Sequence, residues 1–320
     1  MRSIVIVLAI FSMLSANAQF PNTAGTPTEQ EAVGQAQEYW RKITETILGN
    51  ARRLVTPTLS ARDRQIESQI NYRVTASPNI NAIAYIDGGR RFVRLRSMST
   101  QFFGWIAAAE VMGGETDNEN CFIGYMQYFG KNFIHNSKVA TSGGTFALTF
   151  EPTLAVERGL VPMCNADIET YRKVVTQKWS YISRQGEAAV MLLWLHEVAH
   201  HVLGHVDNPS ASLAMRRQQE SEADEWAIRA MTNANQFASV GRPFFYMVSV
   251  FQGMSLAEEQ QSTHPLGARR ARSIFAAIAP AVRANPQLMA SLRKEPDLET
   301  QYFDDLTGLQ NQATAMIPTK

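Results

Sequence analysis

The residues best suited to chemistry crowd into one stretch, Glu187 to His205, which holds four of the chain's six histidines. Within it stands His196-Glu197-x-x-His200. Positions i and i+4 of a helix lie one above the other, so the two imidazoles project together. Two neutral imidazoles at that spacing can hold one zinc ion, and Glu197, one residue along, can reach a water on the metal. From Ala188 to Leu195 the stretch is apolar without a break. It reads as a helix buried on most sides, started by Gln185-Gly186-Glu187 and stopped near Gly204. Histidines satisfied by backbone carbonyls are the plainer reading. Yet two imidazoles and a carboxylate buried without partners would cost several kcal/mol, and a metal is the simplest partner.

A catalytic zinc takes three protein ligands and keeps one position open. The metzincin spacing would need a glycine at position 203 and a histidine at position 206, where this chain has Leu203 and Val206. His201 and His205 are therefore expected outside the ligand set, as supports or surface residues. The stretch Gln218 to Ala227 has helical spacing, with Ala223, Trp226, Ala227, Ala230 and Met231 on one side. Glu220 and Asp224 are i and i+4 and project together. Glu220 is expected as the third ligand, and Asp224 as the acceptor of an N–H from a zinc-bound histidine, which fixes its tautomer. Glu222 is the rival ligand, about half a turn away. A solvated acidic face would account for Glu222 and Glu225 better than for the other two.

The succession H-E-x-x-H, then E-x-x-A-D on a second helix, then Ser262-Thr263-His264-Pro265 and basic residues, resembles a family of zinc metallopeptidases. That family includes the CAAX prenyl proteases, HtpX and the soluble periplasmic BepA. Asn79-Ile80-Asn81-Ala82-Ile83-Ala84, Gly88-Gly89 and Arg91-Phe92-Val93 are similar to its N-A-x-A strand, G-G turn and following strand. The resemblance spans about residues 76–103 and 186–275. It implies zinc on His196, His200 and Glu220, Glu197 as general base, and Asp224 orienting a histidine. It also implies that His264 lies near the metal, where it stabilises the transition state or caps the zinc at rest. The basic run Arg269-Arg270-Ala271-Arg272 would point toward the site or, more plainly, be solvated.

Residues 1–18 have the form of a signal peptide: Arg2, an apolar core from Ile4 to Leu14, and Ala16-Asn17-Ala18 before Gln19. A cut after Ala18 would send the chain to the periplasm or the medium. No other run has membrane length. The formal charge of +1 gives no reason to expect nucleic acid as a partner. Residues 19–75 are expected as a flexible lead and a helical cover from Glu29 to Val74, with Ile66, Ile70 and Val74 on an apolar face. Ala82 to Ile86 and Arg91 to Leu95 read as a hairpin, whose strand could align a substrate backbone.

Residues 76–320 are read as the peptidase domain, with an insertion at about 104–184 that departs from the family. The insertion holds an aromatic patch, read as a lid or substrate-selecting element, and both cysteines, Cys121 and Cys164. These can pair in an exported protein, and they lack zinc-finger spacing. Arg242-Pro243 opens another helix through about Glu259, and the tail from Asn285 has weak helical pattern.

The expected fold is α+β and mostly helical, a gluzincin-type or zincin-like domain with a small β-hairpin or sheet beside the zinc helix. The expected activity is zinc-dependent hydrolysis of peptide bonds in proteins, with one Zn²⁺ and a place in envelope protein quality control, alone or with an envelope-complex partner. The alternatives are a capped zinc protein acting as a chaperone, and another class of H-E-x-x-H hydrolase.

Overall fold

The computed structural model describes residues 29–315 apart from 77–80, 143–146, 148, 209, 252–258, 261–263, 266 and 296, together with residue 317. The expected signal peptide lies outside the described residues, as do residues 252–258 of the helix expected to reach Glu259.

The main core is built around one helix, α7, spanning Trp179–Val202. Every residue from Ala188 to Ala199 is buried, as an unbroken apolar run demands. The helix starts eight residues before the expected Glu187. Gly186 is no start signal; it lies where α7 crosses α3 (Met98–Glu115), and a Cβ there would stand 3.4 Å from the Gly104 nitrogen. At the far end Gly204 adopts φ 76°, the left-handed conformation that glycine takes cheaply, and a 3-10 turn, His205–Asp207, follows.

The N-terminal cover is helical over Glu29–Val55 (α1) and, after a short turn, over Ala61–Glu67 (α2). It then departs from the expected helix. Ile70–Thr75 is a strand, β1, that pairs parallel to β3 (Arg90–Arg96), and β3 pairs antiparallel to β2 (Ala82–Asp87). A spacing of four residues, as in Ile66, Ile70 and Val74, fits a helix face and a strand face alike. Tyr72 and Val74 add the two-residue alternation that suits a strand, and β3 offers the partner. The strand order β1-β3-β2 leaves β2 at one edge, against α7.

The insertion consists of the rest of α3, then α4 (Glu119–Ser142), α5 (Pro152–Glu157) and α6 (Ile168–Gln177). Phe102, Ile106, Tyr125 and Phe129 form a small core of its own between α3 and α4. Cys121 and Cys164 form a disulfide that fastens the start of α4 to the segment before α6.

Three helices complete the wall round α7: α8 (Leu213–Asn233), α9 (Arg242–Phe251) and α10 (Gly267–Arg283). Ser212 caps α8 by accepting from the Met215 N–H. The tail is more ordered than its pattern suggests, forming α11 (Pro286–Leu292) and α12 (Leu298–Ala315), and α12 packs on α10. Among the described residues no helix is long and apolar enough to cross a membrane. The chain is mostly helical with one small three-stranded sheet, in keeping with a zincin-like domain.

Candidate metal centre

His196 and His200 lie one turn apart on α7 with their Nε2 atoms 3.1 Å from each other. Glu220, on α8, brings a carboxylate to the same point: Oε2 is 3.4 Å from His196 Nε2, and Oε1 is 3.5 Å from His200 Nε2. Among the described residues these three form the group able to hold a metal ion.

The donor set can be tested for fit. Ligands about 2.0–2.2 Å from a tetrahedral zinc stand roughly 3.3–3.5 Å apart, close to the 3.1 Å between the imidazoles and to the distance from each imidazole to one of the two Glu220 oxygens. Glu220 Oε2 is buried and makes no hydrogen bond among the described residues, as a carboxylate oxygen kept for a metal would. His196 Nδ1 meets Asp224 Oδ1 at 2.8 Å, so a proton belongs there and Nε2 is the nitrogen left for a metal. The residues fit zinc.

Asp224 projects beside Glu220, as residues i and i+4 of a helix do. It is itself gripped by Arg270, at 2.6 Å from Nε and 2.8 Å from Nη2, and Arg270 Nη1 also lies 3.3 Å from Glu220. Arg270 and Asp224 are each only 4% exposed, so neither charge would be tolerable alone. Burial by itself would raise the Asp224 and Glu220 carboxyls. Arg270 and His196 outweigh it, holding both below the usual carboxylate range. Burial likewise opposes a charge on His196, but Asp224 holds it above the usual imidazole value, while burial and His196 push His200 down to about 3. A metal-free site thus keeps one positive charge where the two Nε2 atoms meet.

Glu197 lies beside the cluster, 7% exposed. Burial pushes its carboxyl up to about 7, against the opposing pull of His196 and, more weakly, of Arg270 and the Ala84 backbone N–H of β2. Glu197, the three cluster residues and His264 all line one cavity of about 670 Å³. Asn81 to Ala84 of edge strand β2 form one side of it, and Leu193, Phe244, Met247 and Val248 give it an apolar wall. Phe133 of the insertion also reaches it.

Residues 183–289 match the sequence model of the Peptidase U49 family. The match runs from α7 into α11, covers about a third of the chain, and contains every residue of the cluster. No curated protein and no solved structure matches the chain. Over the stretch that carries the cluster, then, the chain is similar to a peptidase family. The match supports a metallopeptidase-type family and a protein substrate without extending to the CAAX protease group in particular.

The expected residues come together unevenly. His196, Glu197, His200, Glu220 and Asp224 converge. His264 stands at the rim, half-exposed, its Nε2 3.7 Å from Glu220 Oε2. Glu222, the rival ligand, faces away from the cluster and meets His205 instead. His201 is buried yet turned aside, its Nε2 2.9 Å from the Phe92 carbonyl of β3.

Arg270 is the residue whose part the sequence did not single out. Its neighbours Arg269 and Arg272 are exposed, so one of a run of three arginines turns inward. A signal was present. Arg270, Ile274 and Ile278 are spaced by four on the buried face of α10, and an arginine on an apolar stripe needs a buried anion.

Proposed function

We propose that this chain is an exported, zinc-dependent endopeptidase acting on protein substrates in envelope quality control, with His196, His200 and Glu220 as zinc ligands. The observation that carries this reading is the convergence of two imidazole Nε2 atoms and a carboxylate beside Glu197 in one open cavity. Zinc bound there would lower the pKa of a bound water and polarise the scissile carbonyl. Glu197 is the general base: buried in the cavity wall one residue from His196, its carboxylate can take a proton from water and give it to the leaving amine. Asp224, clamped by Arg270, keeps the His196 proton on Nδ1. The edge of β2 can align an extended peptide by strand addition, with an apolar side chain against Leu193, Phe244 and Val248. His264, at the rim, is placed to steady a developing oxyanion.

The test is zinc content and hydrolysis of an unfolded protein by wild type and Glu197→Gln. The expected result is zinc in both and a loss of hydrolysis of about 10²- to 10⁴-fold in the variant. Zinc in both with no hydrolysis by wild type would favour the capped reading, with His264 as the cap. A wild type without zinc would remove the proposal's basis.

A further inference from the structure

The two histidines of the cluster are supported differently. His196 Nδ1 meets a carboxylate directly, whereas His200 Nδ1 meets a second imidazole, His205 Nδ1, at 3.1 Å. His205 Nε2 in turn lies 3.1 Å from Glu222 Oε2, and the other Glu222 oxygen accepts from Gln218 Nε2 at 2.8 Å. His205 reaches this place because Gly204 turns the chain out of α7 and folds the next residue back against its last turn.

The hydrogen-bond polarity of this chain of groups is determined. An ionised carboxylate only accepts, so the His205 proton sits on Nε2. His205 Nδ1 is then a lone pair. Two lone pairs cannot face each other at 3.1 Å, so His200 carries its proton on Nδ1. Its Nε2 is left bare, directed at His196 Nε2 and Glu220.

We propose that Glu222 and His205 form a relay that fixes the His200 tautomer and so prepares its Nε2 for the metal. Both are positioning residues, and the proposal rests on the zinc reading given above. It explains why Glu222, half a turn from Glu220, has a place in the site without reaching the cluster. A surface carboxylate with no part in the site could lose its acceptor oxygens without changing metal affinity. The relay depends on them.

Substituting Glu222 tests this, since its side chain is 46% exposed and can be replaced without opening a cavity. In Glu222→Gln the amide oxygen still accepts from His205, and zinc affinity stays near that of wild type. In Glu222→Lys the ammonium can only donate. The His205 proton moves to Nδ1, the His200 proton moves to Nε2, and zinc affinity falls about 10- to 100-fold, as for other groups that orient a metal-bound histidine. Glu225→Lys makes the same charge change on an exposed part of α8 and leaves affinity unchanged. Affinities come from chelator competition, with melting of the metal-free proteins as the check on folding. Nitrogen-15 NMR of the metal-free wild type, at mildly alkaline pH, reads the tautomers directly: His200 protonated on Nδ1 and His205 on Nε2.

The opposite tautomers in wild type would overturn the relay. So would Glu222→Lys binding zinc as tightly as wild type, or Glu225→Lys weakening it equally. A wild type that binds no zinc would overturn the peptidase reading instead, and its tautomers would still decide whether the relay exists.

Discussion

Burial and charge compete at single carboxyls along α7, and Glu187 shows the competition apart from the metal. Burial pushes its carboxyl up to about 7, against a weaker opposing pull from Arg184. The folded chain therefore holds this proton over a range where the unfolded chain, near the ordinary 4.5, has lost it. The linked stability is fully present below about pH 4.5 and is lost as pH rises through about 7. Glu187→Gln should match wild type in stability at acid pH and exceed it above neutrality, measured by urea midpoints across that range. A constant offset at every pH would mean the charge is already well solvated. The same scale separates what could be read in the residues from what could not. His196, Glu197 and His200 were legible because helical spacing fixes their relation without knowledge of the fold. Arg270 was not, because Arg269 and Arg272 offer the same chemistry, and only the buried face of α10 distinguishes among the three.

At the scale of elements, close approach to α7 divides the glycines. A Cβ on Gly186 would meet Gly104 at an ordinary contact distance of 3.4 Å. One on Gly241, just before α9, would come within 2.4 Å of Leu192 Cδ1 and 3.3 Å of the Ala188 carbonyl. Leu192 is 1% exposed and has nowhere to go. Gly241→Ala should therefore destabilise by about 1–3 kcal/mol, the usual effect of overpacking a core. Gly186→Ala should be neutral or stabilise by up to about 1 kcal/mol through helix propensity. Thermal melting of the pair decides it, and equal effects would mean that the start of α9 shifts freely against α7. The β2–β3 hairpin was legible because its alternation and its glycine turn are local. Strand β1 was not, since its parallel partner lies about twenty residues along the chain, and a four-residue spacing serves helix and strand alike.

At the scale of the molecule, the apolar residues among those described form one large core and three smaller clusters. The large one joins α1, the sheet, α7, α8, α10 and the C-terminal helices, while the smaller ones lie in and around the insertion. The three residues of the candidate metal cluster stand on α7 and α8, which belong to the large core, and Phe133 of α4 adds to the cavity wall. The packing inside residues 104–184 was not legible, because the sequence departs there from the motifs that carry its resemblance. The disulfide acts on the smaller part alone, since Cys121 and Cys164 are separated by 43 residues and every ligand lies beyond them. Closing a loop of that length removes unfolded-state entropy worth about 4 kcal/mol at most. The double variant Cys121→Ser with Cys164→Ser should thus lose about 2–4 kcal/mol in denaturant unfolding, a typical effect of removing a native disulfide. It should bind zinc as wild type does, because the α7–α8 pair keeps its own core, and any change in hydrolysis should enter through KM as the Phe133 wall loosens. Zinc lost together with the disulfide would show instead that the insertion and the metal centre fold as one unit.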